Sequence, residues 1–272
     1  MTSIDYGLQG QYNHSKALEA FNHLLNIMDE LREKCPWDRE QTFESMRNLT
    51  IEETYELADA ILEKDLENVK KELGDLLLHI VFYSKIASET NTFDITDVIN
   101  QLCDKLIYRH PHVFGTTQVN DSGEVVKNWE QIKMSEKQGN KTVLSGVPKS
   151  LSALIKANRI QEKVRAVGFD WEERQQVWDK VNEELNEVQG EIEKGDQNRI
   201  EAEFGDLLFS VVNAARLYNI DPETALERTN KKFMKRFGYL ESKTIKEGRS
   251  LKTMTLAEMN EIWEQAKAFD KP

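Results

Sequence analysis

Residues 52–56 read Glu-Glu-Thr-Tyr-Glu, and residues 72–75 read Glu-Leu-Gly-Asp. Both patterns return, as Glu-Glu-Leu-Asn-Glu at 183–187 and as Glu-Phe-Gly-Asp at 203–206. Each acid of the second copy follows its counterpart by 131 positions, as Glu184 follows Glu53. One Glu-Glu-x-x-Glu is unremarkable in an acidic chain, but five acids kept at a single offset indicate duplication. We therefore predict two copies of one structural repeat.

Further paired segments support the duplication. Matching spacings occur in Lys105 with Arg109 and Lys232 with Arg236, and in Trp129 with Lys133 and Trp263 with Lys267. Glycines and a proline among polar residues from about 115 to 148 are typical of a linker. We predict an N-terminal repeat over residues 1–146, with loop and linker from about 115, and a C-terminal repeat over residues 147–272.

Apolar residues recur at helical spacing beside the acids. In the second copy these residues are Val177, Val181, Leu185, Val188 and Ile192, followed after Gly195 by Phe204, Leu207, Leu208, Val211 and Val212. We expect the second set to point inward. Two helices joined by so short a turn pack antiparallel, and the first copy has the same plan at about 49–61 and 66–81.

The fold class predicted from these patterns is all-α, a tandem repeat of two helical-bundle domains. Further helices are predicted at about 18–31, 96–108, 149–166, 222–236 and 256–268. Thr255 and Glu258 have the spacing of a capping box at the start of the last helix. A short hairpin is considered around Asp121-Ser122-Gly123.

The paired acids predict a metal site. Carboxylates at i and i+3 share one face of a helix, so Glu184 and Glu187 are expected to face Glu203 and Asp206 across the helix pair. Mg²⁺ prefers such hard oxygen ligands and commonly joins carboxylates to phosphates. The first copy offers a second metal site made of Glu53, Glu56, Glu72 and Asp75.

Other interpretations of the acids are a solvated surface and a di-iron bundle. A di-iron bundle normally uses Glu-x-x-His pairs, and no histidine of the chain lies three residues after a glutamate. His110 and His112 make at most an incomplete zinc site. A redox-inert ion is therefore favoured.

Basic and aromatic residues downstream are candidates for contacts with a phosphorylated ligand. Lys180 precedes Glu184 by one helical turn, and Lys232 and Arg236 are also one turn apart. Trp263 is a candidate to stack on a base, and Lys267 to meet a phosphate or ribose oxygen. Surface charge, or core packing for the tryptophan, is the alternative for each residue alone.

The overall composition and charge of the chain limit the classes of partner that it is expected to bind. A net charge of -12 argues against sequence-independent binding of nucleic acid, which depends on lysines and arginines. Two cysteines without C-x-x-C spacing are typical of a reducing compartment, and the longest apolar run is too short for a membrane span. We expect a cytoplasmic protein without nucleic-acid or membrane partners, and a homodimer that covers the apolar stripes.

Together these residues resemble the MazG family of nucleotide pyrophosphohydrolases, whose mark is E-E-x-x-E followed by E-x-x-D. The resemblance spans nearly the whole chain and includes the segments Cys35-Pro36-Trp37-Asp38, Arg109-His110-Pro111-His112-Val113-Phe114, Gly146-Val147-Pro148 and Val167-Gly168-Phe169-Asp170-Trp171. It implies a tandem enzyme, usually a homodimer. Such an enzyme uses Mg²⁺, with Mn²⁺ as a substitute, to convert a nucleoside triphosphate and water to the monophosphate and pyrophosphate.

The resemblance also implies roles by position. The metal ligands would be Glu184, Glu187, Glu203 and Asp206, the catalytic residues Glu183, Glu184 and Lys180, and the substrate contacts Lys180, Lys232, Arg236, Trp263 and Lys267. The position of Lys180 is taken by Leu49 in the first copy, so we predict that the C-terminal repeat carries most of the catalysis. The alternatives are a non-catalytic scaffold that senses nucleotides and an enzyme specialised for dUTP or dCTP.

Overall fold

The computed structural model describes residues 13–135 and 142–268, and its regular elements in these ranges are all helical. The all-α fold class is confirmed. The α-helices are α1 (His14–Lys34), α2 (Pro36–Glu40), α3 (Phe43–Glu63), α4 (Leu66–Glu89), α5 (Ile95–Arg109), α6 (Pro111–Phe114), α7 (Ser122–Ser135), α8 (Ala153–Ala166), α9 (Arg174–Lys194), α10 (Gln197–Leu217), α11 (Pro222–Lys246) and α12 (Leu256–Lys267). Short 3-10 turns lie at Val143–Gly146 and Leu251–Thr253.

The chain forms two compact units that meet in sequence between Tyr108 and Arg109. The first, called unit 1, is built on the antiparallel pair of α3 and α4, with α1 packed against α4. Its buried core joins Met28, Met46, Val81 and Phe82 from these three helices. Leucines and aromatic residues surround this cluster, so the space between the helices is filled by apolar side chains.

The second, called unit 2, is built on the corresponding pair of α9 and α10. Helix α8 packs against α10 and α11, and α11 packs against α12. A buried cluster of Leu240, Met254 and Ile262 joins the last two helices. The predicted capping box at the start of α12 is present, because the Thr255 side chain accepts from the Glu258 N–H and the Glu258 carboxylate accepts from the Thr255 N–H.

The boundary between the compact units lies before the predicted repeat boundary at 146. Helix α7 and the turn at Val143–Gly146 both contact α8, so they are part of unit 2 in space. The division into repeats at 146 concerns the duplicated sequence and stays a prediction.

The two helix pairs turn at equivalent positions. Lys64 (φ 58°) ends α3 and Gly195 (φ 77°) ends α9, both in the left-handed region that glycine adopts without strain. The following Asp65 and Asp196 cap α4 and α10 through their side-chain oxygens. These turns fix how the acids of one helix face those of the next.

Two expectations from the sequence were wrong. The segment considered for a hairpin begins α7, because Asp121 Oδ1 accepts the Glu124 N–H at 2.9 Å and caps a helix. The residues of α10 expected to point inward are only partly covered by this chain. Val212 is buried, whereas Phe204, Leu208 and Val211 are exposed, and 61% of the Leu208 surface is accessible to solvent. A single pair of helices buries one side of an apolar stripe and leaves the rest uncovered.

Within the described residues, every helix is too short or too polar to cross a bilayer.

Candidate active site

Three of the predicted metal ligands converge in unit 2. Glu184 and Glu187 lie one turn apart on α9, Glu203 lies on α10, and one carboxylate oxygen from each is within 4.8 Å of the others. Glu184 is only 5% exposed, which is unusual for a glutamate and demands compensation by a cation. We call this group the C-terminal acidic cluster. Its function as a metal site stays a prediction.

The three carboxylates of this cluster carry like charges and repel one another. Glu187 is exposed, but partial loss of solvent around its carboxylate raises its pKa, and the neighbouring Glu184 and Glu203 raise it further. A carboxylate with a raised pKa is one whose charged form is unfavourable at its site. A divalent cation among the three would remove that penalty, so the cluster fits Mg²⁺ by its donor atoms and by its charge.

A lysine borders the cluster. Lys180 Nζ lies 2.7 Å from Glu184 Oε1 and 2.9 Å from Glu183 Oε1. The hydrogen bonds to Glu184 and then to Glu183 raise the pKa of Lys180 above its usual value, so the side chain stays cationic. Glu183 is half exposed. The structure therefore brings all three predicted catalytic residues together.

A cavity of about 620 Å³ adjoins the cluster between α8, α9 and α10. Three predicted site residues, Lys180, Glu184 and Asp206, line it. The rest of its wall is formed by Ile160, Gln161, Val164, Gly168, Phe169, Asp170, Trp171, Phe209, Ser210, Asn213 and Arg216. Asp206 is not part of the three-residue cluster, but it shares the cavity wall with Glu184. A volume of this size is usual for a small-molecule site, about 300–1,000 Å³.

An ion pair between the buried Arg216 and the partly exposed Asp170 forms one wall of the cavity. Arg216 donates from Nη1 to Asp170 Oδ2 at 3.1 Å and from Nη2 to Asp170 Oδ1, and Asn213 Oδ1 accepts from Arg216 Nε at 3.0 Å. Burial alone would raise the pKa of Asp170, but the hydrogen bond and charge of Arg216 outweigh it and the pKa is lowered. This pair ties α10 to the segment that precedes α9.

The other predicted substrate contacts lie on α11 and α12 and do not belong to the described wall of this cavity. The guanidinium of Arg236 lies 5.6 Å from the centroid of the Trp263 ring, and the Phe233 ring lies 5.0 Å from it. Lys267 Nζ pairs with Glu264 at 2.6 Å. Lys232 is exposed on α11. Their contact with substrate stays a prediction.

Unit 1 contains the equivalent N-terminal acidic cluster. Oxygens of Glu53, Glu56 and Glu72 lie within 4.8 Å of one another. Glu72 is 1% exposed, and its Oε2 is without a hydrogen-bond partner among the described residues. Burial, followed by the charges of Asp75, Glu56 and Glu72, raises the pKa of Glu53. The repulsion among carboxylates is thus repeated in unit 1.

The surroundings of that cluster differ. Leu49, which occupies the position of Lys180, packs against the apolar core of unit 1. A cation is supplied instead by Lys71 on α4, whose Nζ lies 2.9 Å from Glu72 Oε1 and 3.9 Å from Asp75 Oδ2. The cation beside the acids thus comes from the second helix of the pair in unit 1 and from the first helix of the pair in unit 2.

Sequence reasoning missed Lys71 and the polar wall of the cavity. The wall residues Asp170, Asn213 and Arg216 lie outside the acidic motifs, and the segment 167–171 that contains Asp170 supported the family resemblance without an assigned role. A usable signal was Arg216 itself, a charge at the end of the largely apolar stretch 207–215. Charged residues are rarely buried without a partner, so such a residue predicts a buried pair.

Comparisons with known proteins agree with the resemblance expected from the sequence. The family model described as "MazG nucleotide pyrophosphohydrolase domain" matches residues 41–114 and again residues 172–239. The chain is 45% identical over 254 residues to "Nucleoside triphosphate pyrophosphohydrolase/pyrophosphatase MazG" of Thermotoga maritima, covering 92% of this chain and 97% of that protein. It is 42% identical over 257 residues to "Nucleoside triphosphate pyrophosphohydrolase" of Escherichia coli strain K12, covering 92% and 98%. The expected resemblance, tandem organisation and enzyme class are confirmed.

Proposed function

Because the chain belongs to the MazG family of nucleotide pyrophosphohydrolases, we propose that its C-terminal repeat hydrolyses nucleoside triphosphates to monophosphate and pyrophosphate with Mg²⁺. The observation that carries the proposal is the buried carboxylate of Glu184. It belongs to the acidic cluster, contacts Lys180 and lines a cavity of small-molecule size.

In this proposal the acidic cluster and Asp206 hold the metal. Mg²⁺, or Mn²⁺ in its place, would lower the pKa of a bound water and offset the charge that develops on the phosphates. Glu184, Glu187 and Glu203 supply the oxygens, and their mutual repulsion in the absence of a cation favours binding of one.

The chain's own residues orient the reaction. The water oxygen forms a bond to the α-phosphorus while the bond from that phosphorus to the α,β-bridging oxygen breaks, and pyrophosphate leaves. Glu183, half exposed beside Lys180, accepts the proton of the water. Lys180 keeps its positive charge and holds a phosphate oxygen next to Glu184.

Residues of α11 and α12 complete the substrate contacts in this proposal. Lys232 and Arg236 would bind the outer phosphates, and Trp263 and Lys267 would contact the nucleotide from the neighbouring helix. The pairing of Arg236 with the Trp263 ring already orders two of these side chains.

A cytoplasmic homodimer is part of the same proposal. Exposed apolar side chains on three helices of unit 2, among them Leu185, Leu208 and Phe233, support a second copy as the partner that covers them.

Hydrolysis in water labelled with ¹⁸O tests the mechanism. With Mg²⁺ present, wild type is expected to release pyrophosphate and to place the label in the monophosphate, as attack at the α-phosphorus requires. Label in pyrophosphate would indicate attack at the β-phosphorus and contradict the mechanism. A nucleotide-sensing scaffold would bind nucleotide and metal without releasing pyrophosphate, so the same assay separates that alternative.

A further inference from the structure

The cavity of unit 2 has more apolar wall than a triphosphate needs. Ile160 and Val164 on α8 and Phe209 on α10 line it, and Trp171 adds an aromatic ring from the segment before α9. Phosphates are recognised by cations and metal, whereas flat heteroaromatic rings are recognised by apolar and aromatic surfaces. The two kinds of surface meet at Lys180 and Glu184, which line the cavity and contact each other.

We propose that this cavity receives the nucleoside part of the substrate, with the base against Ile160, Val164 and Phe209 and the phosphates directed to the C-terminal acidic cluster. This assignment rests on the proposed function. It places the base between α8 and α10, whereas the sequence pointed to Trp263 on α12 as the stacking residue.

A buried amide supports a polar ligand at this wall. Gln161 is 4% exposed, and its Nε2 donates to the main-chain oxygen of Phe209 at 2.8 Å. That bond fixes the orientation of the amide and leaves Oε1 without a partner among the described residues. A buried acceptor without a donor is costly, and every nucleobase carries an N–H group that can supply one.

The equivalent positions of unit 1 are filled by the chain itself. Phe82 stands 131 positions before Asn213, is 2% exposed and belongs to the apolar core. Leu49 and Leu78, the counterparts of Lys180 and Phe209, pack against the same core. Unit 1 thus keeps the acids but has packed apolar side chains at the positions of Lys180 and Asn213, so a nucleoside is accommodated in one repeat and not in its duplicate.

A substitution that fills the cavity tests the assignment. Val164→Phe places a ring in the space without removing a side-chain hydrogen bond. Glu162→Phe adds the same ring to the exposed side of α8 and removes only surface contacts with Arg159 and Asn158. Binding of α,β-methylene ATP with Mg²⁺ is expected to weaken roughly tenfold or more in Val164→Phe, as loss of base contacts requires. It is expected to change by less than about twofold in Glu162→Phe, and Mn²⁺ binding without nucleotide should be unchanged in both.

Equal nucleotide affinity in Val164→Phe and wild type would overturn the assignment, as would equal weakening in both variants. A second measurement uses the unaltered protein: light-induced attachment of 8-azido-ATP, located by mass spectrometry. Attachment to α8 or to the segment around Phe209 is expected, and attachment confined to α12 would assign the base to Trp263 instead. Absence of pyrophosphate release by wild type would overturn the proposed function itself, so the two failures are distinguishable.

Discussion

The two acidic clusters share their carboxylates and differ in the residues that surround them. Around the N-terminal cluster, Leu49 and Phe82 belong to a closed apolar core. Around the C-terminal cluster, the equivalent Lys180 and Asn213 line an open cavity. The cation also differs in position, because Lys71 lies on α4, the second helix of its pair, whereas Lys180 lies on α9, the first helix of its pair.

This difference shows that the acidic motif alone does not specify a catalytic site. A cluster of three carboxylates can bind an ion in either unit, but catalysis also requires a cation directed at the phosphates and space for the rest of the substrate. Those two requirements are met by residues outside the motif.

Among substitutions outside the acidic clusters, the largest effect is expected from giving the C-terminal site the residue of the N-terminal one. Lys180→Leu removes the cation beside Glu184, and kcat/KM for pyrophosphate release should fall roughly a hundredfold, as loss of a charge-assisted hydrogen bond to a phosphate implies. Lys194→Leu, at an exposed lysine of the same helix, is the matched control. A loss in Lys180→Leu no greater than in the control would remove Lys180 from the site.

Breaking the ion pairs of Arg216 and Arg32 is expected to have a smaller effect, which appears in the free energy of unfolding. Asp170→Asn leaves the buried Arg216 without its counter-charge, and the free energy of unfolding should fall by about 2–3 kcal/mol at pH 7. Glu89→Gln in unit 1 should cost less, about 1 kcal/mol, because the Glu89 side chain is 39% exposed and solvent screens its pairing with Arg32. Denaturant titrations of both variants measure the difference, and an equal cost would contradict this account of Arg32.

The same pairs predict a dependence of stability on pH. The hydrogen bond from Arg32 lowers the pKa of Glu89, and Arg216 lowers that of Asp170 against the effect of burial. A carboxyl whose pKa is lowered by folding stabilises the protein above its unfolded pKa, about 4, and this contribution is lost as pH falls through the folded value. Unfolding titrations between about pH 5 and 2 should show a flatter decline for Asp170→Asn than for wild type.

The smallest effect is expected at the turns between the paired helices. Lys64 adopts the left-handed conformation that Gly195 adopts at the equivalent position. Lys64→Gly should therefore stabilise unit 1 by about 0.5–1 kcal/mol, while Gly195→Ala should destabilise unit 2 by a similar amount. Thermal unfolding of the two variants should move in opposite directions, and destabilisation by Lys64→Gly would show that its side chain contributes more than its backbone costs.

The helices and the clusters were predictable because their signals are local. Helical spacing of apolar residues, a glycine at the end of α9 and acids at i and i+3 depend on neighbouring residues. The cavity was not predictable in this way, because its wall joins Gln161, Asp170 and Asn213 from separate elements. Nor was the exposure of Leu208, since the helical period shows which residues share a face but not what covers it.

The position of Lys71 illustrates the same limit. Alignment of the repeats showed that Lys180 is replaced by Leu49, which suggested that the first site lacks a cation. The structure places Lys71 beside Glu72 from the other helix of the pair, at a position that aligns with the uncharged Ala202 of the second copy. Compensation across a helix pair is visible only when the pair is folded.

The central claim, that the C-terminal cluster is the catalyst, is tested most directly by pyrophosphate release from Glu184→Gln and Glu53→Gln measured beside wild type with Mg²⁺. The account predicts a loss of roughly a thousandfold in Glu184→Gln, as removal of a metal ligand implies, and a rate within about twofold of wild type in Glu53→Gln. Loss in Glu53→Gln with activity retained in Glu184→Gln would contradict the account.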